Sequence, residues 1–160
     1  MNSCDGVDLQ STIMKRAIDH CVPVTLMVEL GQACNFKCQH CYNFDRSVGS
    51  PNSVKPMDLD MVRSVLHQGR ELGCITLCLT GGEVLLYPKL MEVVLAARGL
   101  HYAVRLKTNG ALISPKRARE LKGAGVSDCE VSIYGMKDST YEEFTQRPGG
   151  FIATRKKKKN

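Results

Sequence analysis

The chain has 160 residues, 43% apolar and 24% charged, a composition that suits one globular domain able to bury a core without disulfide staples. No apolar run approaches the ~20 residues that span a bilayer, and the opening MNSCDGVDLQSTIMKRAIDH has no apolar block behind a basic start, which argues against a signal peptide and for the cytoplasm. The net charge of +6 is mostly one feature: Arg155 to Lys159 carry five positive charges and residues 1–154 only +1, which argues against a nucleic-acid partner.

In a reducing compartment the eight cysteines are thiols rather than disulfides. Clustered ones then point to metal or catalysis and scattered ones to quiet burial. Core packing is expected of Cys74 and Cys78, which share one face if both lie on a strand, and also of Cys4, Cys21 and Cys129. His67 and His101 read as surface or packing residues.

A leading helix is expected near residues 8–20. VTLMVEL (24–30) is short, apolar and β-branched, so it reads as a buried strand ending at Gly31. Leu59, Val62, Leu66 and Leu72 keep helical spacing, with Asp58 as N-cap and Gly73 as stop. CITLCLT (74–80) is a second strand, ending at Gly81-Gly82, and Pro88 opens a helix that Gly99 closes. YAVRLKT (102–108) is a third strand before Asn109-Gly110. Pro115 opens a short helix to about Leu121, CEVSIYG (129–135) is a fourth strand, and Ser139 caps the start of another helix. RPGGF then reads as a turn.

This alternation implies parallel strands joined by helical crossovers, with apolar runs that suit strands covered on both faces. Periodicity leaves open whether the sheet is an open doubly wound layer or part of a barrel. In either case Cys34, Gly81, Asn109 and Gly135 follow the C-terminal ends of successive strands, the edge where parallel α/β folds assemble their sites.

The loop GQACNFKCQHCYN (31–43) spaces Cys34, Cys38 and Cys41 as Cys-x3-Cys-x2-Cys. Thiolates in this density select zinc or an iron–sulfur cluster. A structural zinc site or a fully ligated four-iron cluster wants four ligands, and no fourth cysteine is nearby. Three thiolates on a four-iron cluster leave one iron open for a substrate or cofactor.

That spacing resembles the signature of the radical S-adenosylmethionine (SAM) enzymes, with His40 before the last cysteine and Tyr42 after it. TGGEVLLYP (80–88) is similar to the family's Gly-Gly-Glu segment, and KTNG (107–110) and VSIYG (131–135) to the ends of its third and fourth strands. TYEEFTQRPGGF is similar to the stretch that follows in the peptide-modifying branch, which often carries a C-terminal SPASM domain. The likeness covers roughly residues 22–152 in the right order.

The resemblance implies an α/β fold, the N-terminal part of a radical-SAM partial (β/α) barrel with parallel strands. It implies a [4Fe-4S] cluster on Cys34, Cys38 and Cys41, and S-adenosyl-L-methionine at the open iron, reductively cleaved to methionine and a 5′-deoxyadenosyl radical. It places His40, Tyr42, Gly81, Gly82, Glu83, Asn109 and Ser132 at the SAM site. Gly81 and Gly82 would let backbone approach the ligand, and Glu83 would accept from its ammonium. The expected partners are a peptide or protein substrate and a reductant such as flavodoxin or ferredoxin, with no membrane. Val84 departs from the family's proline and frees φ there.

The expected organisation is a helical lead-in (1–21), the radical SAM core (22–152) and a disordered basic tail (153–160). The pattern stops after the fourth strand, so the reading includes a chain cut short near the Lys-rich tract and an exposed fourth strand. Other readings are an inactive remnant, a subunit completed by a second polypeptide, and a zinc-binding interaction module.

Overall fold

A computed structural model describes residues 8–43 and 55–155. It contains helix α1 (Leu9–Asp19), strand β1 (Thr25–Glu29), α2 (Leu59–Glu71), β2 (Thr76–Thr80), α3 (Leu90–Gly99), β3 (Ala103–Thr108), α4 (Pro115–Ala124), β4 (Val126–Val131), α5 (Asp138–Thr145) and α6 (Gly150–Arg155). A single 3-10 turn, Val84–Leu86, follows β2.

The four strands form one sheet in the order β1-β2-β3-β4, every pair parallel. A doubly wound sheet reverses its strand order at a switch point, whereas a barrel adds each strand beside the last. The described sheet follows the barrel progression, which decides the alternative that periodicity leaves open.

The helix punctuation acts as the residue types require. Asp58 accepts the Met61 N–H at 2.8 Å and starts α2. Ser114 accepts from Arg117 N with Pro115 in the first turn of α4, and Gly125, at φ 96°, ends it. Gly73 follows α2 at φ 105°. Helix α4 runs to Ala124, one turn beyond the expected Leu121.

The main core lies between one face of the sheet and α2 and α3. Leu77, Leu79, Val104 and Leu106 from the strands meet Val62, Leu66, Leu90, Val93, Val94 and Ala97, all fully buried. Tyr102 is buried among them and donates to Leu66 O at 2.7 Å, so its hydroxyl is satisfied.

The other sheet face is different. Arg105 pairs with Asp128 at 2.6 Å and Lys107 with Glu130 at 3.5 Å, and Met27 is 56% exposed. The strands are therefore not covered on both faces. Of the four strands only β2 is buried along its middle, while β3, though paired on both sides like β2, alternates and β4 is mostly exposed. β4 is an edge strand of the described sheet.

Several other expectations shift. The fourth strand is Val126–Val131, not 129–135, because Gly125 ends α4 directly into it and the strand ends just before Ser132. Lys137, not Ser139, precedes α5, without a side-chain cap. RPGGF enters α6, which runs across residue 153, and residues 156–160 lie outside the described set. Cys21 and Cys129 are exposed rather than packed in the core, and Cys4 lies outside the described residues. Cys74 and Cys78 are buried but do not share a face. Cys74 precedes β2 and joins the main core, while Cys78 sits opposite Leu77 and Leu79 on the pleat.

Leu106 is fully buried at the centre of this core. Leu106→Ala is expected to lower the unfolding free energy by about 2–5 kcal/mol, the range for a truncated buried leucine. A urea titration followed by circular dichroism reads it as a lower midpoint at unchanged slope.

Candidate functional site

The loop bearing Cys34, Cys38 and Cys41 leaves the C-terminal end of β1 and is fastened on two sides by its own peptide groups. On the sheet side, Gly82 N–H donates to Gly31 O at 2.9 Å and Glu83 N–H to Ala33 O at 2.8 Å. On the other side, Lys37 N–H donates to Thr145 O at 3.1 Å and Gln39 N–H to Phe144 O at 3.0 Å. Those two carbonyls end α5, where a helix leaves its last acceptors without intrahelical partners. Asn43 Nδ2 donates to Gln32 O at 2.9 Å and draws the two ends of the loop together.

The sheet-side contact explains the glycine pair. A Cβ on Gly82 would stand 2.2 Å from Gln32 O and 2.4 Å from Ala33 O. A Cβ on Gly81, whose φ is 147°, would stand 2.4 Å from Gly31 O. The close approach these glycines allow is thus to the backbone of the cysteine loop itself.

Glu83, only 3% exposed, ties β2 to β3. Its Oε1 accepts from Leu85 N at 3.0 Å and Thr108 Oγ1 at 2.6 Å, and its Oε2 from Asn109 N at 2.8 Å. Burial pushes its pKa up, while the bonds from Thr108, Asn109 and Leu85 oppose that shift. Val84, in the place of the expected proline, is 2% exposed and opens the 3-10 turn that Glu83 caps. The core therefore restrains the backbone freedom that proline would have removed.

Asn109 joins these parts. Its Nδ2 donates to Asn35 Oδ1 at 2.8 Å and lies 4.0 Å from Cys34 Sγ, and its Oδ1 accepts from Ala111 N at 3.0 Å. Its carbonyl accepts from Thr154 Oγ1 at 3.1 Å, on α6.

The three thiols are half-buried. Cys34 Sγ also faces the Phe36 N–H at 3.4 Å. Cys34 and Cys38 pack against a second small core of Phe36, Tyr141 and Phe151, built by the loop with α5 and α6. Cys41 N–H donates to Cys38 O at 3.2 Å, turning the loop between the last two cysteines. Among the described residues no three Cys, His, Asp or Glu side chains gather closely enough to hold one metal ion. A four-iron cluster takes each thiolate on a separate iron, and three half-buried thiols on one loop, with N–H donors facing one sulfur, suit that donor set.

His40 stacks on Phe144 at 4.6 Å and 21°, and lies 4.6 Å from the Tyr134 ring. It thus joins the loop to α5 and to the turn after β4. Tyr42 is 69% exposed, and its hydroxyl donates to Glu29 Oε1 at the end of β1. That bond to a carboxylate, with partial burial, pushes the phenol up to about 12. Ser132 donates its backbone N–H to Thr108 O at 3.0 Å, which continues the β3–β4 pairing one residue past the strand. Cys34, Gly81, Gly82, Glu83, Asn109 and Ser132 therefore share one edge of the sheet, while His40 and Tyr42 flank the loop.

Sequence reasoning missed Thr108, Tyr141, Phe144 and Thr154. Tyr141, fully buried, shares a hydrogen bond with Thr154 Oγ1 at 3.1 Å and rings Phe36 and Phe151. The available signal was Tyr141 and Phe144 at i, i+3 on a helix otherwise polar, with Phe151 following.

The family model for the radical SAM superfamily matches residues 28–157. The chain belongs to the radical SAM superfamily. The AdoMet-dependent heme synthase of Methanosarcina barkeri is 32% identical over 134 residues, 82% of this chain and 37% of the relative. The sporulation killing factor maturation protein SkfB of Bacillus subtilis is 30% identical over 151 residues, 92% of this chain and 35% of that protein. Among solved structures, Streptococcus suis SuiB bound to S-adenosylmethionine superposes with a TM-score of 0.67 at 18% identity, covering 89% of this chain and 33% of SuiB. SuiB bound to its precursor peptide SuiA gives 0.65 at 16%, covering 87% and 31%. These neighbours share the partial barrel fold, and the chain spans about a third of the length of the relatives it matches.

Two predictions concern how this radical SAM chain holds its cysteine loop. Gly82→Ala is expected to displace the loop, because the new methyl meets backbone carbonyls that cannot rotate away. Faster proteolysis between residues 31 and 43, with the sheet's circular dichroism retained, would show it. Glu83 binds its proton more tightly folded than unfolded. Its contribution to stability is therefore complete below the usual carboxylate range and is lost as pH rises through the elevated folded value. Glu83→Gln removes that pH-dependent component and, by turning an N–H toward the Asn109 N–H, costs about 1–3 kcal/mol throughout. Urea midpoints of both proteins from pH 4 to 8 should converge as pH rises.

Proposed function

We propose that this chain holds a [4Fe-4S] cluster on Cys34, Cys38 and Cys41 and binds S-adenosyl-L-methionine at the iron left without a protein ligand. The observation that carries the reading is the fastening of a three-cysteine loop directly to the Gly81-Gly82-Glu83 segment by backbone hydrogen bonds. The other described cysteines lie elsewhere: Cys74 in the main core, Cys78 buried on the opposite face of the sheet, Cys21 and Cys129 on the surface.

When bound, such a cluster supplies one electron for the reductive cleavage of SAM, giving methionine and a 5′-deoxyadenosyl radical that abstracts a substrate hydrogen. The chain's own residues bind and orient. Cys34, Cys38 and Cys41 would hold the cluster, leaving one iron for the ligand. Glu83 has three donors on its two oxygens, and a carboxylate accepts about four, so Oε2 retains a direction for the ammonium of the ligand. Gly81, Gly82, Asn109 and Ser132 line the same strand-end edge, and His40 and Tyr42 border it on the loop side. Radical chemistry also needs water kept away, which the aromatic group of Phe36, Tyr134, Tyr141 and Phe144 serves beneath the thiols.

The substrate is a peptide or protein. Support comes from SkfB, named as a maturation protein, and from SuiB, solved with its precursor peptide. A low-potential donor such as flavodoxin or ferredoxin supplies the electron. The core comprises residues 22–155, with α6 included, preceded by the lead-in over 1–21 and followed by the basic run 156–159. No helix among the described residues is long and apolar enough to cross a membrane.

Anaerobic reconstitution with iron and sulfide, then dithionite reduction and electron paramagnetic resonance, tests the reading. The expected result is a reduced-cluster signal that shifts on adding SAM. Cys34→Ala, Cys38→Ala and Cys41→Ala are each expected to lose most of the bound iron. A colourless, air-stable protein with one zinc, or a cluster signal indifferent to SAM, would sink it.

A further inference from the structure

Asn109 was placed at the strand-end edge as a neighbour of the cofactor, but its side chain is committed elsewhere. Ala111 N–H donates to its Oδ1 at 3.0 Å. That bond decides the orientation of the amide, because the flipped form would set two N–H groups against each other at Ala111 and two oxygens against each other at Asn35. With Oδ1 so held, Nδ2 points toward the cysteine loop. One N–H meets Asn35 Oδ1 at 2.8 Å, and Nδ2 lies 4.0 Å from Cys34 Sγ, the outer reach of an N–H···S bond.

The residue is pinned from three further directions. Its backbone N–H is held by Glu83 Oε2 at 2.8 Å, its carbonyl by Thr154 Oγ1 at 3.1 Å, and the following Gly110 N–H by Thr108 Oγ1 at 3.0 Å. An amide restrained this fully has little freedom to turn away from the sulfur. Cys34 Sγ thus faces two N–H donors, Asn109 Nδ2 and the Phe36 peptide at 3.4 Å. Neutral thiols are poor acceptors and gain little from such donors, whereas a metal-bound thiolate is oriented and electronically tuned by them.

We propose that Asn109 is a positioning residue for the Cys34 thiolate, donating an N–H···S bond that raises the reduction potential of the cluster. The inference rests on the cluster reading given under the proposed function. Its physical basis is that a donor at a ligating sulfur stabilises the added negative charge of the reduced cluster more than it stabilises the oxidised one.

The experiment is a potentiometric titration of the reconstituted full chain, monitored by electron paramagnetic resonance, for wild type, Asn109→Ala, Asn109→Ser and Thr154→Val. Serine keeps a hydroxyl for the Ala111 N–H but cannot reach Cys34, so it carries the test should the alanine variant fold poorly. Thr154→Val removes a hydrogen bond to the same residue's backbone and leaves the amide in place. The expected result is a midpoint more negative than wild type in both Asn109 variants and a wild-type midpoint in Thr154→Val. Unchanged midpoints at Asn109, or an equal shift in Thr154→Val, would overturn the proposal and leave the cluster reading standing. A wild-type chain that assembles no cluster would overturn both.

Discussion

Two peptide hydrogen bonds, Gly82 N–H to Gly31 O and Glu83 N–H to Ala33 O, set where the cysteine loop lies relative to the sheet. They form only because residues 81 and 82 lack side chains, so that the backbones after β1 and β2 can touch. Glu83 then turns its carboxylate inward and gathers Thr108 and the Asn109 peptide from the end of β3. One contact between two loops thus brings the first three strand ends to a single edge, and the partner groups of Glu83 make its burial tolerable. A buried carboxylate without such donors would cost more than the fold could spare.

The molecule divides its apolar residues between two cores with different duties. The larger one, between the sheet and α2 and α3, fixes strand order and register. The smaller one, around Phe36, Tyr141 and Phe151, fixes the far side of the cysteine loop. The sheet face turned away from the helices has few apolar groups. It carries cross-strand ion pairs, Arg105–Asp128 and Lys107–Glu130, each half-exposed and hence of little worth to stability.

The repeating scaffold was legible in the sequence because each element carries a local cause. Asp58 and Ser114 cap helices, Gly73 and Gly125 stop them, and short β-branched runs fall between. The cysteine spacing and the Gly-Gly-Glu segment were legible for the same reason, being contiguous in the chain. What could not be read depends on partners distant in sequence. Whether Cys78 faces the core or the open side depends on sheet pairing and not on its spacing from Cys74. β4 begins at Val126 because α4 ends at Gly125 and the strand must reach Val104, a tertiary requirement that overrode the apolar run at 129–135. Helix α6 was hidden by Pro148-Gly149-Gly150, which reads locally as a turn. It is stabilised from outside, by Tyr141 and Phe36 against Phe151 and by Thr154 on Asn109.

That dependence ranks the parts of the site by stability. The sheet edge at Gly81, Glu83 and Asn109 inherits the large core and opens only with it. The outer half of the loop, from Phe36 to Tyr42, rests on α5, α6, a handful of apolar contacts and two bonds to helix-end carbonyls. Local opening free energy follows the apolar contacts and protected hydrogen bonds a segment owns, so this half is the weaker. Cys34 lies on the strong side of that divide and Cys38 and Cys41 on the weak side. A ligand shared by the three thiols would therefore cross-link a firm anchor to a looser arm, and its binding free energy would order the arm rather than the sheet.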